Sequence, residues 1–141
     1  MKRITAIALF ALATLVAGTA GAQDHAVKAN VPFDFTVGNA HVPAGIYTIS
    51  STGSQSIIEL RNESGKVNIF GSGYADGKSS ETSKLVFDKW GNQYFLREVV
   101  CAHGDMSLEL PVSKTEKRVQ LLQASNQQNK DEVEVALNEI R

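Results

Sequence analysis

The sequence has 141 residues, 43% hydrophobic and 21% charged, with 14 basic side chains against 15 acidic ones. This ordinary globular composition excludes an intrinsically disordered chain, a collagen-like repeat and a strongly basic nucleic-acid binder. One domain is expected at this length.

The opening residues read as a targeting segment. Lys2 and Arg3 give a positive start, Ile4 to Val16 is an uncharged apolar run, and Ala20-Gly21-Ala22 is a small-residue cleavage pattern. The run is shorter than the roughly 18 residues that a membrane span needs. A signal peptide over residues 1–22, cut after Ala22, is therefore expected. The remaining chain, Gln23 to Arg141, has 119 residues with 12 basic and 15 acidic groups, a net charge of −3. Export to the periplasm or beyond follows, with no transmembrane anchor after cleavage. A net charge of that sign gives no general grip on nucleic-acid phosphates or anionic lipid. Cys101 is the one cysteine, so no intramolecular disulfide can staple the fold.

From Ala26 to Val37, Val31, Phe33, Phe35 and Val37 alternate with polar residues, which predicts a half-buried strand. Pro32 lacks an amide donor and marks an edge or a bulge. A turn at Gly38-Asn39, a short piece at His41-Val42 and a second turn at Pro43-Ala44-Gly45 lead into a strand over 46–51. Strands over 57–61 and 66–70 form a hairpin around Asn62 to Gly65. Gly71 to Ser83 is mostly small and polar and reads as a long mobile loop. Lys84–Lys89 and Gln93–Val100 make a second hairpin around Trp90-Gly91-Asn92, with Trp90 expected to cap the barrel end. After a loop at 101–107, Ser113-Lys114-Thr115-Glu116 is a capping box opening a helix over about 113–124. Its Val119 and Leu122 form a stripe that should pack on the sheet. A Gln/Asn-rich linker follows, and the tail 132–141, readable as strand or helix, is assigned to a final strand on its β-branched content. Six to eight short strands and one C-terminal helix predict a mainly β domain, a small antiparallel sandwich or barrel spanning residues 23–141.

The stretch Asn30-Val31-Pro32-Phe33-Asp34-Phe35-x-Val37-Gly38, with Pro43-Ala44-Gly45-x-Tyr47 after it, resembles a family of small exported proteins of environmental bacteria with no assigned activity. Gly91-Asn92-x-Tyr94-Phe95-Leu96 and Glu109-Leu110-Pro111 before the charged helix are similar to it as well. The resemblance covers most of the chain after Ala22. It implies a secreted β-rich domain with a C-terminal helix, and it brings no cofactor and no active-site residue.

Cys101-x-His103-x-Asp105 is the strongest chemical constellation, since alternate positions of an extended segment project three potential metal ligands, or a thiol and a base, to one face. A structural zinc site usually needs a fourth ligand, and His25 and His41 lie far away in sequence. Gly71-Ser72-Gly73 with Gly77 lacks the helix that a phosphate-cradling loop requires, and no G-x-S-x-G elbow is present. Phe35, Tyr47, Trp90 and Tyr94 are candidate contacts for a ligand inside a small barrel, although their spacing suits a core equally well. The expectation is a non-catalytic secreted or periplasmic module that binds an envelope protein, a glycan or itself. The alternatives are a carrier of a small apolar ligand or a metal or thiol enzyme on the Cys101 segment. No cofactor and no nucleic-acid partner are expected.

Overall fold

The computed structural model describes residues 26–75, 77, 80–102 and 106–140, so residues 1–22, expected to be a signal peptide, and His103 and Asp105 lie outside the described residues. Eleven strands and one helix follow in chain order: β1 (Ala26–Val31), β2 (Phe35–Val37), β3 (Ala40–Val42), β4 (Gly45–Ser51), β5 (Ile57–Asn62), β6 (Asn68–Ser72), β7 (Tyr74–Ala75), β8 (Lys84–Trp90), β9 (Gln93–Val100), β10 (Leu108–Glu109), α1 (Lys114–Ser125) and β11 (Asp131–Glu139). Nine of the strands run in the order β3-β2-β9-β8-β11-β1-β4-β5-β6, with β10 joined to β9 and β7 joined to β10, and the sheet is curled into a nearly closed barrel. The mainly β class and the late helix are as the sequence predicts, with more strands than six to eight. No helix among the described residues is long and apolar enough to cross a membrane.

The extra strands come from breaks in segments that read as single elements. The alternation from Ala26 to Val37 is continuous in sequence, yet the chain leaves the ladder at Pro32 and resumes at Phe35. Pro32 has no N–H to give. Asp34 Oδ1 then accepts from the Ala44 N–H at 2.8 Å. One side of this corner pairs with β4 and β11, the other with β3 and β9. One alternating pattern therefore serves two parts of the barrel.

The segment 71–83 is likewise not one loop. β6 continues through Ser72, and after Gly73 the chain pairs again as β7 against β10, which itself pairs with β9. A Cβ on Gly73 would lie 2.2 Å from the Glu109 carbonyl oxygen. Glycine is what lets the strand bend there and pass β10 backbone to backbone. Ser80 bridges Ala102 further on.

The interior is filled by side chains from every part of the sheet. Phe35, Tyr47, Phe87, Ile49 and Leu60 are fully buried there. Phe35 meets Tyr47 and Phe87 edge to face, with ring centroids 5.5 and 5.3 Å apart, the favourable arrangement for aromatic quadrupoles. The predicted tail strand is present as β11, lying between β8 and β1.

The helix begins where the capping box places it, with Ser113 Oγ accepting the Glu116 N–H at 3.1 Å. The reciprocal half of the box is not made. The Glu116 carboxylate turns inward to Arg97 instead. Val119 is buried but Leu122 is exposed, so the predicted stripe is one residue wide. The buried face of α1 is completed by Glu116, with Gln120 and Gln123 half-buried beside it.

Candidate binding cleft

A cleft of about 590 Å³ lies between the tip of the β2–β3 hairpin, the end of β6 and the segment from Leu110 to Ser113. Gly38, at φ 60°, turns the hairpin, and Asn39 beside it accepts a hydrogen bond from Thr115 Oγ1 at 3.2 Å. The hairpin tip is thereby tied to the first turn of α1. Val37 and Leu110, both buried, form the apolar floor with Gly71. A Cβ on Gly71 would sit 3.2 to 3.3 Å from Ile58, Leu110 and Val37, so the absence of a side chain brings these three close together. Phe70 stands at the wall with 62% of its surface exposed.

The backbone around the cleft is as informative as the side chains. β6 pairs with β5 on one side and β3 with β2 on one side, and each forms an end of the sheet. Every pairing from β9 round to β6 is antiparallel, and β2 alone runs parallel to β9. β3 and β6 consequently run in opposite senses. Natural sheets blunt such edges with charge, proline or very short strands. β3 has only three residues and is followed by Pro43. β6, Asn-Ile-Phe-Gly-Ser, carries neither charge nor proline.

The lining supplies apolar contacts, the side-chain groups of Asn39, Ser72 and Ser113, and backbone hydrogen-bonding groups. Among the described residues it holds no ionisable side chain. The chemistry open to it is recognition through shape and hydrogen bonds.

A separate polar cluster holds the helix to the barrel. Arg97 on β9, with 11% of its side chain exposed, donates to Asp88 Oδ2 at 2.9 Å, to Glu116 Oε1 at 2.5 Å and to the Leu110 carbonyl at 2.8 Å. Lys130 Nζ approaches the other Asp88 oxygen at 3.1 Å, an ion pair without hydrogen-bond alignment. Burial by itself lowers the Arg97 pKa. The Glu116 charge, the hydrogen bonds to Asp88 and Glu116, and the Asp88 charge outweigh it, so the guanidinium is held above its ordinary value. It remains a cation throughout the working range.

The residues singled out from the sequence fall elsewhere. Phe35 and Tyr47 belong to the filled interior, and Tyr47 Oη donates to the Pro43 carbonyl at 2.6 Å. Tyr94 is half-buried and stacks on Phe33 with centroids 3.9 Å apart, and Lys89 Nζ lies 5.7 Å from its ring centroid. Trp90 ends β8, half-buried, with its indole N–H buried and without a hydrogen-bond acceptor. Next to it, the backbone of Gly91 lies against the Gln123 side chain of α1. Cys101 is buried in the core cluster, 6% exposed. Its companions His103 and Asp105 are outside the described residues, and among those described no group of three His, Cys, Asp or Glu could hold a metal ion. The cleft itself rests on Phe70, Gly71 and Leu110, which in the sequence belong to a strand end, a polar loop and a short motif. The one available signal was an uncharged strand whose last large residue, Phe70, breaks the inward alternation of Val67 and Ile69.

No protein-family model, curated protein or solved structure matches the chain.

Proposed function

We propose that the chain is an exported, non-catalytic envelope module that binds a partner at the cleft between β6 and the β2–β3 hairpin. The observation that carries the reading is the coincidence of an uncharged, unpaired strand edge with an apolar-floored cleft and the exposed Phe70. An open edge offers main-chain hydrogen bonds to an incoming extended segment, and side-chain pockets beside it supply selectivity. That combination favours a polypeptide partner over a glycan. Export is supported by Lys2-Arg3, the apolar run and Ala20-Gly21-Ala22.

A second reading, carriage of a small apolar ligand, draws support from the cleft volume, which falls in the range of small-molecule sites. The ligand would lie at the barrel wall and not within it.

Selection of random peptides on immobilised Gln23–Arg141, followed by amide chemical-shift mapping with the selected sequences, tests the proposal. Shifts concentrated at Asn68–Ser72 and Gly38–Ala40, weakened by Phe70→Ser, are the expected result. Shifts confined to other strands would sink it. A cleft that responds to small apolar probes but to no peptide would favour the carrier.

A further inference from the structure

Five exposed side chains of α1 make no hydrogen bond or ion pair among the described residues. Lys114, Lys117, Arg118, Leu121 and Leu122 are all exposed, the two leucines by 75% and 61%. Lys114, Arg118 and Leu121 recur at intervals of four and three, which places them one above another on one side of a helix. Lys117 and Leu122 flank that line. None of the three cations has an ion-pair partner among the described residues. The only acid of the helix, Glu116, is turned inward and held by Arg97.

This arrangement is unfavourable for the isolated fold. The N-terminal end of a helix carries partial positive charge and favours acidic side chains, with basic ones belonging in the last turn. Here all three cations lie in the first five residues, and the last turn has none. Lys114 with Lys117, and Lys114 with Arg118, are like-charge pairs at repelling spacings. Two leucines left in water add to the cost. Local rules broken together on one face, with no compensation inside the molecule, point to something outside it.

We propose that this face of α1 docks onto an anionic phospholipid surface, the three cations on lipid phosphates and Leu121 and Leu122 entering the acyl boundary. Charge complementarity selects the partner, because three unpaired cations beside exposed leucines match a surface that is negative outside and apolar just beneath. The net charge of the whole chain is −1, and it conceals this local concentration of positive charge. Attachment of one short helix is weak and reversible. The face is distinct from the cleft, so the inference does not depend on the reading given above.

Co-sedimentation of Gln23–Arg141, which contains every described element, with vesicles made with and without phosphatidylglycerol tests it. Expected is partitioning onto phosphatidylglycerol vesicles, none onto pure phosphatidylcholine, and release as salt is raised to about 0.5 M. Replacing Lys114, Lys117 and Arg118 with Gln should lower partitioning about a hundredfold, at roughly fivefold per cation. Leu121→Ser with Leu122→Ser should lower it about tenfold. Lys114→Arg with Lys117→Arg should retain it. All five side chains are exposed, so each variant should keep the parent circular dichroism and melt no lower than the parent, the Gln variant slightly higher as like-charge repulsion is relieved. Equal partitioning of the Gln variant, or equal partitioning onto phosphatidylcholine, would overturn the proposal. So would loss with the Gln variant but none with the Ser variant, the signature of an acidic macromolecule rather than a bilayer.

Discussion

Glu116 on α1 and Arg97 on β9 meet at 2.5 Å, both largely buried, and this contact redirects a carboxylate that helix-capping rules assign to its own backbone. Arg97 binds Asp88 and the Leu110 carbonyl as well. Removing one member of such a set leaves the others buried with a charge uncompensated, which typically destabilises more than the intact pair ever contributed. Glu116→Ala is expected to cost about 3 kcal/mol of unfolding free energy in urea. Glu116→Gln, which keeps a hydrogen-bond acceptor, should cost less. Equal, negligible losses would show that the cluster does not hold the helix.

Two glycines on the same strand run should respond very differently to alanine. At Gly73 the added Cβ meets the Glu109 carbonyl oxygen at 2.2 Å, and neither backbone can give way without breaking the β7–β10 pairing. Gly73→Ala should destabilise by about 3 kcal/mol, the upper part of the overpacking range. At Gly71 the contacts are 3.2 to 3.3 Å and fall on side-chain carbons that can shift. Gly71→Ala should cost about 1 kcal/mol, measured by thermal or urea unfolding.

Tyr47→Phe isolates one buried hydrogen bond. Its hydroxyl donates to the Pro43 carbonyl at 2.6 Å in the turn that opens β4. The ring packing against Phe35 is retained in the variant. A loss of about 1 kcal/mol is expected, with the Phe35 ring resonances unchanged in aromatic NMR spectra.

Glu59 on β5 should titrate below its ordinary value, because its carboxylate accepts hydrogen bonds first from Arg61 and then from Asn68. A carboxylate depressed in the folded state adds stability above its unfolded pKa and loses it as pH falls through the folded one. Following the side-chain resonances of Glu59 through an acid titration checks this. Arg61→Ala should move the midpoint upward.

Cys101 should react slowly with a thiol reagent while the protein is folded and at the free-thiol rate once it is unfolded. The reason is burial, since the thiolate must reach solvent to attack. Rapid reaction of the native protein would show that the loop beyond Val100 opens readily.

Much of the architecture is legible because alternation and turn chemistry act locally. Leu85 to Phe87 and Tyr94 to Leu96 around Gly91-Asn92 are a hairpin on any reading, and Ser113 with Glu116 three residues on marks a helix start. The breaks were not legible. Val31 to Val37 alternates without interruption, and only the long-range demands on Asp34, which binds Ala44, show that the chain turns a corner there. Gly73 reads as loop because its sequence neighbours are small and polar, whereas its reason for being glycine is Glu109, far along the chain. Leu122 fits a helical stripe by spacing, but the helix rests on the barrel through Glu116 and Val119. The cleft joins residues from three separate segments, and no local pattern brings Val37, Gly71 and Leu110 together.

The placement of β11 has a consequence for the order in which the molecule can assemble. The last strand in the chain lies between β8 and β1, where Leu137 faces Ala29 and Val133 faces Phe87. Until residues 131–139 have been made, β1 with β4, β5 and β6 has no sheet neighbour on its open side, and neither does the β8–β9 hairpin. Contacts between the two ends of a chain form late and slowly because they require the largest loop to close. A chain built this way stays unlatched until β11 is in place. Its two halves are then held as one barrel by a single strand laid between them.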